Sequence, residues 1–466
     1  MSKLGRLTLV LVLAALFSPT LTWADLDADV STGKKLLKEG DELADDGKGN
    51  EAVVQYKRAF EQLLPGMRRL SFKTEVKRDV TNREDMRAML IKEIDSEMTP
   101  EEFRASELGM KALGFLPREF DLKETMIKVY SEEIAAFYDT KTKTMHLIKE
   151  PEEKVKQEPS FLEKLLGKKE GFDKDQNKTV IAHELTHALA DQNFDIESLQ
   201  KKIEDDDDRS LALSALIEGE ATLTMIGAQM EDWSGNETKA LPADVLNRVF
   251  GLMMPFMSLG GGKSLQEAPV ILSETMIFPY LRGLVFCAYL TNDRGWQAIT
   301  DAYKRPPLST EQILHPEKYF SEIDAPMAID LGELKKVDGW KELARNVVGE
   351  MQLAILLRVH GGKNASTGWD GDRYAVFEGP DHRLGLVWFS TWDSAKDAEE
   401  FELGYREFQK TKPDLKVVEG RDAAFLVERR GTDVVVVEGF PKVEAEELRD
   451  AAFKAKKVEM TYDQTP

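Results

Sequence analysis

Apolar positions recur every three to four residues through the first third of the chain and every second residue near its end, so helices are expected first and paired strands last. A helical hairpin is predicted over 31–65, with Gly40, Ala52, Tyr56 and Ala59 at its contact positions. Helices follow at 83–94 and 100–113. Thr99-Pro100-Glu101-Glu102 opens the second of these with side chains that can satisfy its free backbone N–H groups. The period then changes: 133–138 reads as a helix end or strand, 139–143 as a turn and 144–148 as a strand. The charged stretch 149–176 is expected to be a surface excursion ahead of a helix at 178–190. Residues 250–290 are apolar, but Gly260-Gly261-Gly262 breaks them and Arg282 interrupts them. No run there reaches the length of a membrane span, so packed core helices are expected. A helix is predicted at 340–359 and a connection at 361–366. Beyond these, strands at 373–377 and 384–390, a helix at 394–409, and strands at 423–429 and 433–438 around Arg430-Gly431-Thr432 form a small α+β unit.

The chain has 466 residues, of which 42% are hydrophobic and 32% charged, a balance that excludes collagenous, low-complexity and disordered classes. Its first 24 residues hold Lys3, Arg6, an apolar run at 7–17, Pro19 and Thr22-Trp23-Ala24, the layout of a cleavable export signal. That run is too short for a bilayer core, which needs about twenty residues. An exported protein, periplasmic or extracellular, is expected, with no stable membrane insertion once the signal is removed. The full chain has 63 basic and 84 acidic residues; losing Lys3 and Arg6 leaves 61 against 84, a net charge of −23. Such an excess repels phosphate backbones, so no nucleic-acid partner is expected. Cys287 is the only cysteine, which excludes a disulfide framework.

Within the helix at 178–190 stands His183-Glu184-Leu185-Thr186-His187. With six histidines in the chain, this pattern arises by chance in about one such sequence in a hundred, which sets it apart from a core helix that merely buries two imidazoles. Histidines four apart share a helix face, with Cβ atoms about 5 to 6 Å apart, close enough for both to bind one Zn²⁺. Glu184 projects to the adjacent side, where it can take a proton from water that the metal has acidified to a pKa of about 7. A third ligand is required. The metzincin pattern needs Gly at 190 and His at 193, but these positions hold Ala190 and Asn193. Residues 213–222 read as a helix in which Ala215 and Gly219 permit a close approach to the first. Glu218 is therefore the expected third ligand, with Glu220, nearly opposite on the helix, in reserve. Asp191, four residues past His187, is a candidate to orient a ligand imidazole. The acidic run 204–208 lacks the Gly-centred loop of a Ca²⁺ site and is expected to be solvated.

His183-Glu184-x-x-His187 paired with Glu218-Gly219-Glu220-Ala221 resembles the gluzincin zinc metallopeptidases. The segments 136–143, Phe278-Pro279-Tyr280-Leu281-Arg282-Gly283 and 307–316 are similar to those of exported bacterial members, and the likeness spans roughly 70–325. The resemblance implies Zn²⁺ held by His183, His187 and Glu218, Glu184 as general base, a peptide or protein substrate, and 144–148 as the sheet edge along which that substrate lies. Many gluzincins have Asp four residues after the ligand glutamate to hold a ligand histidine. Here that position is Thr222, which leaves Asp191 as a substitute. Such enzymes commonly stabilise the oxyanion with Tyr or His. His315, in a polar loop where a histidine has little packing reason, is favoured over Tyr280, whose apolar helix explains it by burial; Arg282 is third.

The expected fold class is α+β. A signal peptide at 1–24 precedes a tetratricopeptide-like hairpin at 25–70, a mostly helical zincin-like metallopeptidase domain with a small edge sheet at 71–362, and a small α+β domain at 363–466. One hairpin cannot stack into a solenoid, so a packed helix pair is expected rather than a peptide-binding repeat. The tail carries His382 but no ligand cluster, and Trp388 and Trp392 read as core aromatics. Two functions compete: an exported zinc peptidase, and a catalytically inactive binding or assembly protein of the cell envelope that retains the zincin scaffold. Glu184 favours the enzyme, because a scaffold needs the ligands but not the base.

Overall fold

A computed structural model describes residues 23–134, 136–148, 174–257, 262–359, 365–412 and 423–462. Residues 1–22 of the predicted leader and 149–173 of the charged stretch lie outside these residues. The fold is mixed α+β. Helices α1 (Trp23–Asp45) and α2 (Gly49–Arg68) form the predicted hairpin. The apolar stripe Ala52, Tyr56, Ala59, Phe60, Leu63 and Met67 of α2 is buried, as a helix at 3.6 residues per turn with one apolar face should be.

Strand β1 (Lys77–Thr81) leads into α3 (Arg83–Glu97), α4 (Pro100–Leu113) and α5 (Leu122–Glu133). Helix α4 starts on a capping box: the Glu102 N–H donates to the Thr99 hydroxyl at 3.2 Å and the Thr99 N–H to the Glu102 carboxylate at 2.9 Å. Strands β2 (Ala136–Asp139) and β3 (Thr144–Ile148) follow, in a sheet of order β1-β3-β2. Here the expectation fails in one respect. Strand β3 is paired on both sides, parallel to β1 and antiparallel to β2, so 144–148 is central and β2 is an edge. The sequence could not show that β1, more than sixty residues earlier, claims the other side of β3.

The central region continues with α6 (Lys174–Phe194), α7 (Ile196–Lys201), α8 (Asp207–Gln229), α9 (Ala243–Met257), α10 (Lys263–Glu267), α11 (Val270–Arg294), α12 (Gln297–Lys304), α13 (Thr310–Leu314) and α14 (Pro316–Phe320). Helices α8 and α11 are long and apolar enough to cross a membrane, yet 89% and 72% of their apolar windows are buried inside the fold. They are core helices, and they meet backbone to backbone. A Cβ on Gly219 would fall inside the Gly283 carbonyl group, and one on Gly283 would collide with the Ala215 carbonyl oxygen. Helix α8 also packs on α6, and α6 on α2.

The tail comprises β4 (Met327–Asp330), β5 (Lys341–Asn346), α15 (Gly349–Val359), β6 (Trp369–Glu378), β7 (Leu384–Trp392), α16 (Ala395–Gln409), β8 (Phe425–Arg430), β9 (Asp433–Glu438), α17 (Lys442–Ala452) and β10 (Lys456–Glu459). Five strands form an antiparallel sheet of order β5-β6-β7-β9-β8. Alternate residues serve opposite faces: Leu386, Trp388, Val434 and Val436 join the main core, while Val387, Phe389, Val435 and Val437 join a second core. Trp388 and Trp392 are buried against Phe401, as core aromatics. The helix expected at 340–359 is instead strand β5, a two-residue connection and α15. Pairing with β6 overrides the helical propensity of 341–346. Asp372 accepts the Val348 and Gly349 N–H groups at 2.9 Å, so α15 begins only there.

The acidic run 204–208 also departs from expectation, because Asp206, Asp207 and Asp208 are buried. They sit where α8 starts, and backbone donors compensate them: Asp206 accepts the Arg209 N–H at 3.0 Å, and Asp208 accepts the Thr310 N–H at 3.0 Å.

Because the α8–α11 contact leaves no room for a methyl group, Gly283→Ala should lower stability by about 1–3 kcal/mol. Urea unfolding measures it; an unchanged midpoint at unchanged slope would show that the helices do not touch there.

Candidate metal centre

Helix α6 places His183 and His187 one turn apart on the face it turns toward α8. Their rings lie 4.6 Å apart, edge to face at 88°. The donor atoms converge with Glu218 of α8: His183 Nε2 is 3.1 Å and His187 Nε2 3.3 Å from Glu218 Oε2, and the two Nε2 atoms are 3.0 Å apart. A small cation held tetrahedrally at 2.0–2.1 Å needs donors about 3.3 Å from one another. The three atoms therefore stand nearly as three corners of such a tetrahedron, a donor set of two imidazoles and one carboxylate that fits zinc. The mutual electrostatics agree with this. Burial alone would pull the His187 imidazolium down, but the Glu218 and Glu184 carboxylates outweigh it and hold it up at about 9. Burial would raise the Glu218 carboxyl, but the two imidazoles outweigh that and hold it well below the usual carboxylate range.

Glu184 is buried in the wall of the same cavity. Burial pushes its carboxyl up, an effect opposed by His183, His187 and a hydrogen bond from the Tyr138 backbone N–H. Strand β2 thus touches the site directly. It is also tied to α6 by Asp191, which accepts from Lys143 Nζ at 2.7 Å and from the Tyr138 hydroxyl at 3.3 Å. Asp191 therefore holds the β2–β3 hairpin rather than orienting a ligand imidazole, contrary to expectation, because β2 presents the Tyr138 phenol and the turn after it the Lys143 cation. Among the described residues, His183 Nδ1 and the Thr222 hydroxyl are both buried without partners, so Thr222 supplies no visible equivalent of the aspartate usual at that position.

Of the two oxyanion candidates, the structure brings Tyr280 to the site and leaves His315 outside it. The Tyr280 ring stacks over His183 with centroids 6.1 Å apart and planes 18° from parallel. Burial, then the Glu218 and Glu184 charges, push its phenol far above its usual range, so it stays a protonated donor. Tyr280 stands one helical turn before Gly283, so the glycine contact between α8 and α11 sets its distance from Glu218. His315 does not line the cavity. It lies at the α13–α14 junction, with Nε2 3.2 Å from Glu350 of α15. The partner that explains this histidine is 35 residues away in sequence, where local reading could not find it. Arg282 is also turned away and donates to Asn247 of α9. Glu220, the reserve ligand, faces the opposite side of α8, where it accepts from Arg68 and Tyr303. Arg68 and Glu220 are both buried.

A second carboxylate group, Glu311, Asp324 and Asp393, surrounds Lys318 Nζ at 2.7, 2.8 and 3.0 Å. The lysine already supplies the cation there.

The cluster of His183, His187 and Glu218 opens into a cavity of 690 Å³. Its walls come from α3, α5, β2, α6, α8 and α11 and include Met86, Met89, Met126, Phe137, Ile217 and Met276. This methionine-rich wall is weakly marked in the sequence. The i, i+3 spacing of Met86 and Met89 on a short helix was the available signal, but core packing gives the same pattern.

Residues 335–450 match a family model described as a domain of unknown function, DUF8575. The match covers most of the C-terminal unit and contains none of His183, Glu184, His187, Glu218 or Tyr280. No curated protein and no solved structure matches the chain.

Proposed function

We propose that the chain is an exported zinc-dependent peptidase of the gluzincin type, hydrolysing peptide bonds of a periplasmic or extracellular peptide or protein. The observation that supports it most is the meeting, in one cavity, of three converging donors, a buried carboxylate beside them and a protonated tyrosine across from them. His183, His187 and Glu218 would hold the ion. Bound there, zinc supplies a Lewis acid that polarises a carbonyl and lowers the pKa of water to about 7. Glu184 takes a proton from the attacking water and passes it to the departing amine. Burial raises its carboxyl above the usual carboxylate range, which favours its return of the proton. The Tyr280 hydroxyl donates to the carbonyl oxygen as negative charge builds on it. The edge of β2 that lines the cavity offers backbone groups to an extended substrate. The apolar walls exclude bulk water from these steps.

Glu184→Gln keeps size and packing but removes the base, so hydrolysis of quenched-fluorescent peptides should fall on the order of 10²-fold or more with zinc content unchanged. Tyr280→Phe should lower kcat roughly tenfold or more, whereas His315→Ala should leave turnover as it is. Wild-type rates in Glu184→Gln would overturn the mechanism.

Because His187 is protonated below about 9, zinc must displace that proton. Its apparent affinity should therefore rise about tenfold per pH unit toward that value and weaken as pH falls. Chelator competition at several pH values reads this directly. Glu218→Ala should weaken binding throughout, and a flat pH profile would contradict the donor set.

A further inference from the structure

A second, smaller cavity lies on the other side of α8. Arg209 and Leu213, one turn apart on that helix, border it, whereas Leu211, Ser214 and Glu218 face the larger cavity. The two cavities therefore sit on different faces of one helix, and they share no lining residue. The small cavity has a volume of 80 Å³ and is closed by Lys202, just past α7, by Lys304, the last residue of α12, and by Pro306 and Pro307. Such a volume has room for about two or three water molecules, so the residues around it stand about a single point.

The chemistry of this cavity is one-sided. Every charged residue on its wall is a cation, Lys202, Arg209 or Lys304, and the rest are leucine, isoleucine and proline. In a chain with 84 acidic residues against 63 basic ones, composition alone does not gather three cations without an acid. The Arg209 Nε is buried without a hydrogen-bond partner, and no carboxylate pairs with its guanidinium among the described residues. Asp206 feels the Arg209 charge, but the hydrogen bond it accepts, at 3.0 Å, comes from the Arg209 backbone N–H. Lys202 is exposed and has no ion pair among the described residues. Lys304 has Asp301 at 3.5 Å, with 66% and 57% of the two side chains exposed, and such a surface pair contributes little in water. A buried N–H without an acceptor is costly. A guanidinium left in this state offers a fork of donors to an anion with two or more oxygens.

We propose that this small cavity is a site for a phosphate group, bonded by the Arg209 guanidinium and flanked by the Lys202 and Lys304 ammonium groups. Three positive charges exceed what one carboxylate needs and suit a phosphate monoester, which carries about −1.5 to −2 at pH 7. The volume admits the phosphoryl group and leaves outside whatever it is attached to. The acidic excess of the whole chain disfavours long polyanions, but it is largely screened beyond about 8 Å at physiological ionic strength and does not cancel a cluster this compact. The phosphate is either the free ion or the exposed headgroup of a lipid. Bound there, it ties the α7–α8 connection to the end of α12. The site is independent of the peptidase reading, because it lies on the face of α8 away from Glu218.

The test titrates the metal-free full chain with inorganic phosphate by calorimetry in a low-salt chloride buffer, so that binding to a metal ion does not contribute. Saturable binding to one site is expected, and acetate should bind at least about tenfold more weakly than phosphate. Arg209→Gln should weaken phosphate binding roughly tenfold or more. Should that variant not fold, the double variant Lys202→Gln with Lys304→Gln alters only exposed side chains and should weaken binding by about the same factor. Flotation with phosphatidylcholine vesicles containing phosphatidic acid then separates the two sources. Flotation of the wild type that inorganic phosphate reverses and Arg209→Gln lacks identifies a lipid headgroup; phosphate binding without flotation identifies the free ion. No phosphate binding in the millimolar range, acetate binding as tight as that of phosphate, or undiminished binding by the double lysine variant would overturn the site.

Discussion

The contact on which the site depends is made without side chains. Gly219 and Gly283 let α8 and α11 cross with their backbones touching. Each glycine has a chemically committed neighbour: Glu218 adjoins the first and Tyr280 stands one turn before the second. The close crossing fixes the separation of the carboxylate that joins the imidazoles and the phenol that faces them. Any larger residue at the crossing would move both helices, because packed cores transmit displacement rather than absorb it.

Around this crossing, buried charges are compensated by groups brought from distant parts of the chain. Asp208 takes the N-terminal backbone of α13, and Asp372 takes that of α15 together with the indoles of Trp369 and Trp388. Asp191 takes Lys143 and Tyr138. Each is a carboxylate that would be costly to bury alone, and each fixes one element against another. The start of α8, the C-terminal sheet and strand β2 are held in this way, so the cavity is bounded by elements whose registry is set by hydrogen bonds as well as by apolar packing.

What the sequence made legible follows the range of the interaction concerned. Periodicity and capping residues identified α3, α4, α16 and the tail strands, because Thr99, Glu102 and the alternating valines act within a few residues of themselves. His183, Glu184 and His187 were legible for the same reason, since one helix turn contains them. Glu218 was reached by a reason that holds only in part: Ala215 and Gly219 do mark α8 as a close-packing helix, but they meet Gly283 of α11 and not the histidine helix α6. The failures are long-range. The order β1-β3-β2, the strand at 341–346, the burial of the acidic run and the partner of His315 each depend on a residue tens of positions away. Local pattern at these places pointed to an edge, a helix, a solvated loop and a catalytic histidine.

The ion pair between Arg68 and Glu220 bears on how the proposed peptidase could be controlled. Arg68 is the last residue of α2 and Glu220 lies two positions past Glu218, with both side chains buried. Separating α2 from the body would strand the glutamate in the core two positions from Glu218, and removing one partner of a buried pair costs about 3–5 kcal/mol. On the proposed function, the amino-terminal hairpin is therefore an integral part of the fold rather than a detachable inhibitor. Its departure would leave the Glu220 carboxylate without its cation, and α2 belongs to the same packed body as the helix that carries the two histidines.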